Sequence, residues 1–330
     1  MIKKLRSFRA GATPLIELHY IFEKERFDMY AKLEYMNPGG SLKDRTSKAI
    51  LLNALEEGKI NKKTTIIEST SGNMGIGLAR ICKHLGLPLI LVIDPYINAI
   101  TIKILKVYGV DIIQVDTEDG NGGYLKSRMK KVRELIDCTP NSFNPDQYRN
   151  RISPQAHYQT VREIIDQLPK PPDYVIVPTS TCGTLMGISR AFKDYYNISP
   201  YIIAVDVKGS IIFDDKPKKR RIPGMGSSRK SDFLDMKYID EVVLVSEDEI
   251  IKACHKLMEK ESILIGGSSG AVVAAIEKLR KNVEPNRTVI GIFADSGERY
   301  LDTIFNPLWL KKNKNDLEEE TLETRNHFEY

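Results

Sequence analysis

The sequence predicts an α/β protein made of two α/β/α lobes with mostly parallel sheets. Three observations carry this expectation. Short β-branched runs alternate with longer amphipathic stretches along almost the whole chain, which is the pattern of parallel strands joined by crossover helices. At 330 residues the chain exceeds the length at which one hydrophobic core usually stops growing, so two packed lobes are favoured over one. Several strand-like runs also pass straight into Gly-, Ser- and Thr-rich loops that open helices, an arrangement that presents backbone N–H groups to an anion.

The elements follow in order. Strands are expected over residues 65–68, 89–93, 111–115, 174–177, 202–205, 241–245 and 289–293. Helices are expected over 44–55, 75–84, 99–108, 124–136, 155–167, 184–194, 247–261 and 270–279. No repeat of solenoid length interrupts them. The charged end over 311–323, with Glu318, Glu319 and Glu320 in a row, reads as a terminal helix or a disordered tail and carries no chemistry.

Composition narrows the function classes. Hydrophobic residues make up 42% and charged residues 28%, which excludes a wholly disordered or fibrous chain. The net charge of +5 is small for this length. The densest basic run, Lys216, Lys218, Lys219, Arg220 and Arg221, has no recognition helix or zinc-ligand spacing beside it. It reads as a solvated loop, and no nucleic-acid partner is expected. Cys82, Cys138, Cys182 and Cys254 form no C-x-x-C pair and have no His spacing suited to zinc, so no metal site is expected and the thiols read as reduced and mostly buried. The first ten residues carry Lys3, Lys4, Arg6 and Arg9 and too few apolar side chains for a signal-peptide core. No apolar run is long enough to span a bilayer. A cytoplasmic enzyme without a membrane partner is the expectation.

Four clusters carry chemistry. Asn37-Pro38-Gly39-Gly40-Ser41-Leu42-Lys43-Asp44-Arg45 is a turn that runs into a helical pattern and sets Lys43 at the helix start. There the positive end of the helix dipole opposes protonation of the amine, and a neutral amine is what reacts with an aldehyde cofactor; read alone, a lysine in this position is usually a surface residue. Glu68-Ser69-Thr70-Ser71-Gly72-Asn73-Met74-Gly75 follows a strand. Thr70 and Ser71 could grip a carboxylate there and Asn73 an oxygen on a flat ring, unless the loop is only an N-capped helix start. Pro178-Thr179-Ser180-Thr181-Cys182-Gly183-Thr184 lacks the P-loop and dinucleotide fingerprints and suits a single phosphate monoester. Gly266-Gly267-Ser268-Ser269-Gly270 could be a helix cap, a cofactor contact, or both.

In this order and spacing the four clusters resemble the cysteine-synthase and cystathionine-β-synthase group of pyridoxal-phosphate enzymes, of fold type II. The resemblance runs from Gly11-Ala12-Thr13-Pro14-Leu15 to Asp295-Ser296-Gly297-Glu298-Arg299-Tyr300. It implies a tryptophan synthase β-like architecture, with a smaller, mobile substrate-binding lobe over 41–150, a larger cofactor-binding lobe over 1–40 and 151–310, and a charged tail over 311–330. It also implies a homodimer. By the same resemblance pyridoxal 5'-phosphate is held by Lys43 as a Schiff base, and Ser180, Thr181, Cys182, Gly183 and Thr184 cradle its phosphate. Asn73 bonds the ring hydroxyl oxygen, and Thr70, Ser71, Asn73 and Gln147 meet the substrate. Ser268 matches the residue at the pyridine nitrogen, where a serine cannot hold the ring protonated as an aspartate would. Lys43 is then the base that takes the α-proton in a β-replacement passing through an α-aminoacrylate.

Within that group the chain is similar to the N-(2-amino-2-carboxyethyl)-L-glutamate synthases of siderophore pathways that make 2,3-diaminopropionate. The shared features are Ala31-Lys32-Leu33-Glu34-Tyr35-Met36-Asn37-Pro38-Gly39-Gly40-Ser41, Gly122-Gly123-Tyr124-Leu125, Gln147-Tyr148 and Val205-Asp206-Val207-Lys208-Gly209-Ser210. This implies small amino-acid substrates, O-phospho-L-serine and L-glutamate. Met74 stands where ordinary cysteine synthases carry a threonine, and Cys182 where they carry a glycine. Arg128, Tyr148 and Ser180 are the expected readers of a phosphate leaving group, because a guanidinium matches a phosphate dianion and offers less to a neutral acetyl ester. The competing reading pairs Arg128 with an acid of its own helix, such as Glu134. Two alternatives stay open: a cysteine synthase or other cysteine-processing enzyme using sulfide, and a catalytically lapsed cofactor-binding interaction protein.

Overall fold

The computed structural model describes residues 1–70, 72–118, 123–213 and 217–313. In chain order the elements are α1 (Ile2–Arg6), β1 (Leu15–Glu17), β2 (Asp28–Leu33), α2 (Lys43–Glu56), β3 (Thr65–Ser69), α3 (Asn73–Leu85), β4 (Leu89–Ile93), α4 (Ala99–Val107), β5 (Asp111–Gln114), α5 (Leu125–Cys138), β6 (Ser142–Phe143), α6 (Ile152–Gln155), α7 (Tyr158–Gln167), β7 (Tyr174–Pro178), α8 (Gly183–Arg190), β8 (Tyr201–Val207), β9 (Glu241–Val245), α9 (Glu247–Glu261), α10 (Gly267–Leu279) and β10 (Thr288–Phe293).

Two sheets organise them. The larger has the order β1-β2-β10-β7-β8-β9 and the smaller β5-β4-β3-β6. Every pairing is parallel except β1 with β2. Central β10 is buried at all six positions, as a parallel strand covered on both faces must be. On one face of the larger sheet, Ile250 and Leu257 of α9 and Val272 and Ile276 of α10 join the core. On the other, Val161 and Ile164 of α7 pack with Leu185 and Ile188 of α8. The smaller sheet is covered by α2, α3 and α4, with Leu5 of α1 in the same core. Val132 of α5 closes its opposite face against Ile67 and Val92.

Local chemistry sets the ends of these elements. Ser246 and Glu249 form a reciprocal capping box at the start of α9, and three acids occupy its first turn, both favourable at a helix amino end. α3 stops at Gly86, whose φ of +72° closes the helix with a left-handed residue.

The expected α/β class holds, with three differences in detail. β1, β2 and β6 and the short α1 are additional elements. β2 escapes a hydropathy pattern because one of its buried positions is Lys32, whose ammonium lies 2.9 Å from Glu163. The helix expected over 155–167 is two helices, α6 and α7, separated by Ala156 and His157. The helix expected over 184–194 is α-helical only to Arg190 and then widens into a π turn, Ala191–Tyr195. Among the described residues no helix is long and apolar enough to cross a membrane.

Candidate active site

Parallel strands direct their following loops to one end of a sheet, and ligands bind in the crevice beyond their carboxyl ends. Here the loops after β3, β7 and β10 meet the start of α2. Asn73 of α3 donates to Oδ2 of Asp295, just past β10, at 2.8 Å, so the carboxyl ends of the two sheets face each other across one cavity.

The turn before α2 delivers Lys43. Gly40 N–H donates to the carbonyl of Asn37 at 2.7 Å, and Gly40 adopts a φ of +72° that residues with a side chain rarely take. Oδ2 of Asp44 accepts from Gly39 N–H at 2.6 Å and also binds Arg80. Leu42 N–H donates to the carbonyl of Ala294 at 2.9 Å, and Ser41 bridges to Asp295. Lys43, the first residue of α2, is thereby pinned against the end of β10. Its backbone N–H reaches Ser41 Oγ at 3.3 Å, but among the described residues its side-chain nitrogen makes no hydrogen bond. Burial pushes the amine down to about 8, and the Asp295 carboxylate opposes that shift.

Asp295 is the hub of this wall. Its Oδ2 accepts from Tyr300 at 2.8 Å as well as from Asn73, and its Oδ1 lies 3.5 Å from Ser268 Oγ. A Cβ at Gly266 would collide with the carboxylate. Arg299 bonds both Asn73 Oδ1 and the carbonyl of Gly39, tying the Lys43 turn to α3. Neither Ser268 nor Ser269 caps α10: no side chain does so, Ser268 faces Asp295, and Ser269 Oγ accepts from Ala294 N–H at 2.9 Å. Ser268 is buried beside the wall that also carries Asn73.

The loop after β3 is stiffened from within. Thr70 Oγ accepts from Gly72 N–H at 3.0 Å and Gly75 N–H at 3.2 Å. Gln147 bonds the carbonyl of Ser69 through Nε2 at 3.1 Å, and its backbone N–H lies 3.3 Å from Glu68. Burial pushes the Glu68 carboxyl up to about 8, the nearby Asp146 adding to the effect against hydrogen bonds from Ser69, Gln147 and Asn144. Thr70, Asn73, Gln147 and Lys43 all line the same cavity. Ser71 lies outside the described residues.

The loop after β7 opens α8, and its Ser180 and Thr181 line the same cavity, whereas Cys182, Gly183 and Thr184 lie behind them. Cys182 is left-handed, with a φ of +62°, the backbone that a glycine would take without strain. Its thiol is pushed up to about 12 by burial, with Asp206 adding to the effect against a bond from Ser231, and so stays neutral. Thr181 Oγ accepts from Gly183 N–H at 3.3 Å. Thr184 Oγ shares a 3.1 Å hydrogen bond with Nε2 of His157. Burial first, then the charges of Lys43 and Arg45, hold His157 well below the usual imidazole range, so the ring is a neutral support for Thr184. Ser180 Oγ donates to the carbonyl of Gly226 at 3.1 Å. An aldehyde cofactor carrying one phosphate would find two fixed points here: a buried amine without a hydrogen-bond partner, and a hydroxyl-rich loop at a helix amino end.

A second cleft adjoins the first and shares Tyr148 and Ser180 with it. Arg128 of α5 lines it with only 5% of its surface exposed. Its ion-pair partner is Asp94, after β4, and not Glu134, which pairs instead with Lys131. Nε of Arg128 is 3.1 Å from Asp94, yet the N–H does not point along that line, and Nε and Nη1 have no hydrogen-bond partner. Arg220, read from sequence as part of a solvated loop, lines the same cleft. Asp94, Arg220, Asp295, Arg299 and Tyr300 were not foreseen as site residues. For three of them the signal available was the run Asp295 to Tyr300 at the end of the resemblance.

Comparison with known proteins agrees with this geometry. The profile of the pyridoxal-phosphate dependent enzyme family matches residues 7–295. A hydrogen sulfide-producing enzyme from Fusobacterium nucleatum is similar in structure, with a TM-score of 0.82 and 31% identity over 91% of this chain and 98% of its own. The O-acetylserine dependent cystathionine beta-synthase from Helicobacter pylori also gives a TM-score of 0.82 and 31% identity, over 91% of this chain and 97% of its own. O-ureido-L-serine synthase gives 0.84 at 26% identity, covering 92% of this chain and 95% of its own. The chain belongs to the pyridoxal-phosphate dependent enzyme family, and its two largely parallel sheets are those of fold type II.

Proposed function

We propose that this enzyme replaces the phosphate of O-phospho-L-serine with the amine of L-glutamate, giving N-(2-amino-2-carboxyethyl)-L-glutamate for 2,3-diaminopropionate and siderophore synthesis. The observation that supports the phosphate donor is Arg128, a buried guanidinium with two nitrogens lacking hydrogen bonds, in a cleft joined to the Lys43 cavity at Tyr148 and Ser180. Asp94 already balances its charge, but the two nitrogens leave buried donors that a phosphate dianion could bond and that a neutral acetyl ester would meet less well.

Bound pyridoxal phosphate supplies the electron sink that makes the substrate α-proton removable. Lys43 anchors the cofactor and, once substrate displaces it, takes and later returns that proton at Nζ. An amine near 8 is poised for both directions close to neutral pH. Ser180, Thr181, Cys182, Gly183 and Thr184 hold the cofactor phosphate, and Asn73 and Ser268 flank the ring. Thr70, Ser71 and Gln147 hold the substrate carboxylate, and Arg128 and Tyr148 receive the departing phosphate. Residues 41–150, which carry the carboxylate loop and Gln147, form the lobe that closes over substrate.

A second reading is supported by the similarity to a hydrogen sulfide-producing enzyme and to an O-acetylserine dependent cystathionine beta-synthase: sulfur chemistry at the β-carbon, either a cysteine synthase consuming sulfide or another cysteine-processing β-replacement. Holoenzyme offered O-phosphoserine or O-acetylserine, each with glutamate or sulfide, separates the two by product mass and kcat/KM. The proposal expects the phosphoserine and glutamate pair to lead. Faster cysteine formation from either donor would replace it with the second reading.

A further inference from the structure

The cleft beside the Lys43 cavity contains more positive charge than a departing phosphate alone requires. Tyr148 stands at the junction of the two spaces, and three arginines surround it. Arg128 and Arg220 line the cleft with it, and the guanidinium of Arg229 lies 6.0 Å from its ring centre. Arg229 is already paired with Asp232 at 2.6 Å, and Arg128 sits beside Asp94. Arg220 differs from both. Its Nη1 donates to the carbonyl of Met225 at 3.0 Å, its Nε is buried without a hydrogen-bond partner, and among the described residues it makes no ion pair, although the carboxylates of Asp206 and Glu247 act on its charge from farther away.

The chain holds Arg220 there by folding the loop over 217–228 back onto the site. Gly226 N–H donates to the carbonyl of Thr179 at 2.8 Å, Ser227 N–H to Ser210 Oγ at 3.0 Å, and Ser180 Oγ to the carbonyl of Gly226 at 3.1 Å. A Cβ at Gly226 would collide with the Arg220 guanidinium, so the glycine leaves room for it. Asp94 is the only carboxylate among the described residues lining this cleft, which also carries the hydroxyls of Ser180 and Ser228. A long dianion with its charges apart would satisfy guanidiniums on two walls, whereas a compact monoanion would reach one.

We infer that Arg220 is a specificity-determining residue that binds a carboxylate of the incoming nucleophile, making the cleft a site for a dicarboxylate amine donor. This rests on the proposed use of an acidic amine and names the residue that selects it. The phosphate and the donor occupy the cleft in turn, since the first must depart before the second attacks. Arg128, deeper and beside Asp94, meets the phosphate, and Arg220, partly exposed, meets the donor at the mouth.

The test separates this inference from the reaction itself by using glutarate, a dicarboxylate with no amine to react. Binding to wild-type, R220Q and R220K holoenzyme is measured by calorimetry, with cofactor absorbance and thermal midpoint reporting the fold. The expectation is saturable glutarate binding to wild type, weakened about tenfold or more in R220Q, the scale of one charge-assisted hydrogen bond, and restored in good part in R220K. The same order should appear in KM for glutamate more than in kcat. Glutarate that fails to bind wild type, or that binds well-folded R220Q as tightly as wild type, overturns the assignment. Arg220-dependent glutarate binding without turnover of glutamate would support the cleft and sink the proposed reaction instead.

Discussion

Arg128→Ala is the substitution that asks whether the enzyme reads a phosphate leaving group. In the structure the guanidinium is 5% exposed, 3.1 Å from Asp94, and has two nitrogens without hydrogen bonds. Its removal deletes one charge-assisted contact to a phosphate, about 1.5 to 3 kcal/mol, which is a fall of about ten- to a hundredfold in kcat/KM for O-phosphoserine. It also strands Asp94, itself only 4% exposed, and breaking a buried pair from one side can destabilise by about 3 to 5 kcal/mol. That second effect acts on every substrate alike. The informative quantity is therefore the ratio of kcat/KM for O-phosphoserine to that for O-acetylserine, measured in Arg128→Ala and in Arg128→Ala with Asp94→Asn. The ratio should fall about tenfold or more in both, while the thermal midpoint should recover only in the double variant. An equal loss on both donors would refute the reasoning and leave Arg128 as a strut between α5 and the loop after β4.

Three further outcomes follow from the titrating and strained groups. With Lys43 near 8 rather than its ordinary 10.5, about a tenth of the amine is neutral at pH 7 instead of about one part in three thousand. Cofactor capture by apoenzyme, followed by absorbance, should therefore rise up to about pH 8 and then level, and Asp295→Asn should move that bend lower; a bend at pH 10 would refute the burial argument. Glu68 is held near 8 by burial, above its ordinary 4.5, so the folded state keeps a proton that the unfolded chain loses. Stability from this group falls as pH rises from about 4.5 to 8, and thermal midpoints of Glu68→Gln should depend less on pH across that window, whereas an unaltered profile would mean the carboxyl is already ionised. At Cys182 the left-handed backbone costs about 1 to 2 kcal/mol for a residue with a side chain, against about 0.5 to 1 kcal/mol of extra unfolded-state entropy for glycine. Cys182→Gly should accordingly unfold close to wild type while Cys182→Val, β-branched at the same φ, unfolds well below it; equal midpoints would contradict the strain.

The parts legible in the sequence were those written locally. Each of the four clusters lies between a strand or turn and a helix, and small residues and hydroxyls at such junctions announce exposed backbone donors before any contact is known. The central strands were legible because β4, β7 and β10 are apolar on both faces. β2 was hidden by Lys32, which is fully buried because the Thr13 carbonyl together with Glu163 and Gln167, far along the chain, accepts its hydrogen bonds. Arg220 was misread for the same kind of reason. A basic run looks solvated until the loop is seen to fold back on Thr179 and Ser210. Ser268 kept two readings in sequence because a serine at a helix start usually caps it; the hydroxyl instead faces Asp295, a partner that no spacing rule supplies.

Lys43 is the residue on which the proposed chemistry most directly depends, and borohydride reduction of the holoenzyme followed by peptide mass mapping tests it. Reduction fixes the cofactor to the amine that holds it, so the pyridoxyl mass should appear on the peptide containing Lys43 and on no other, and be absent in Lys43→Ala. A pyridoxyl group on Lys32 or Lys48, or one retained by the Lys43→Ala protein, would contradict it.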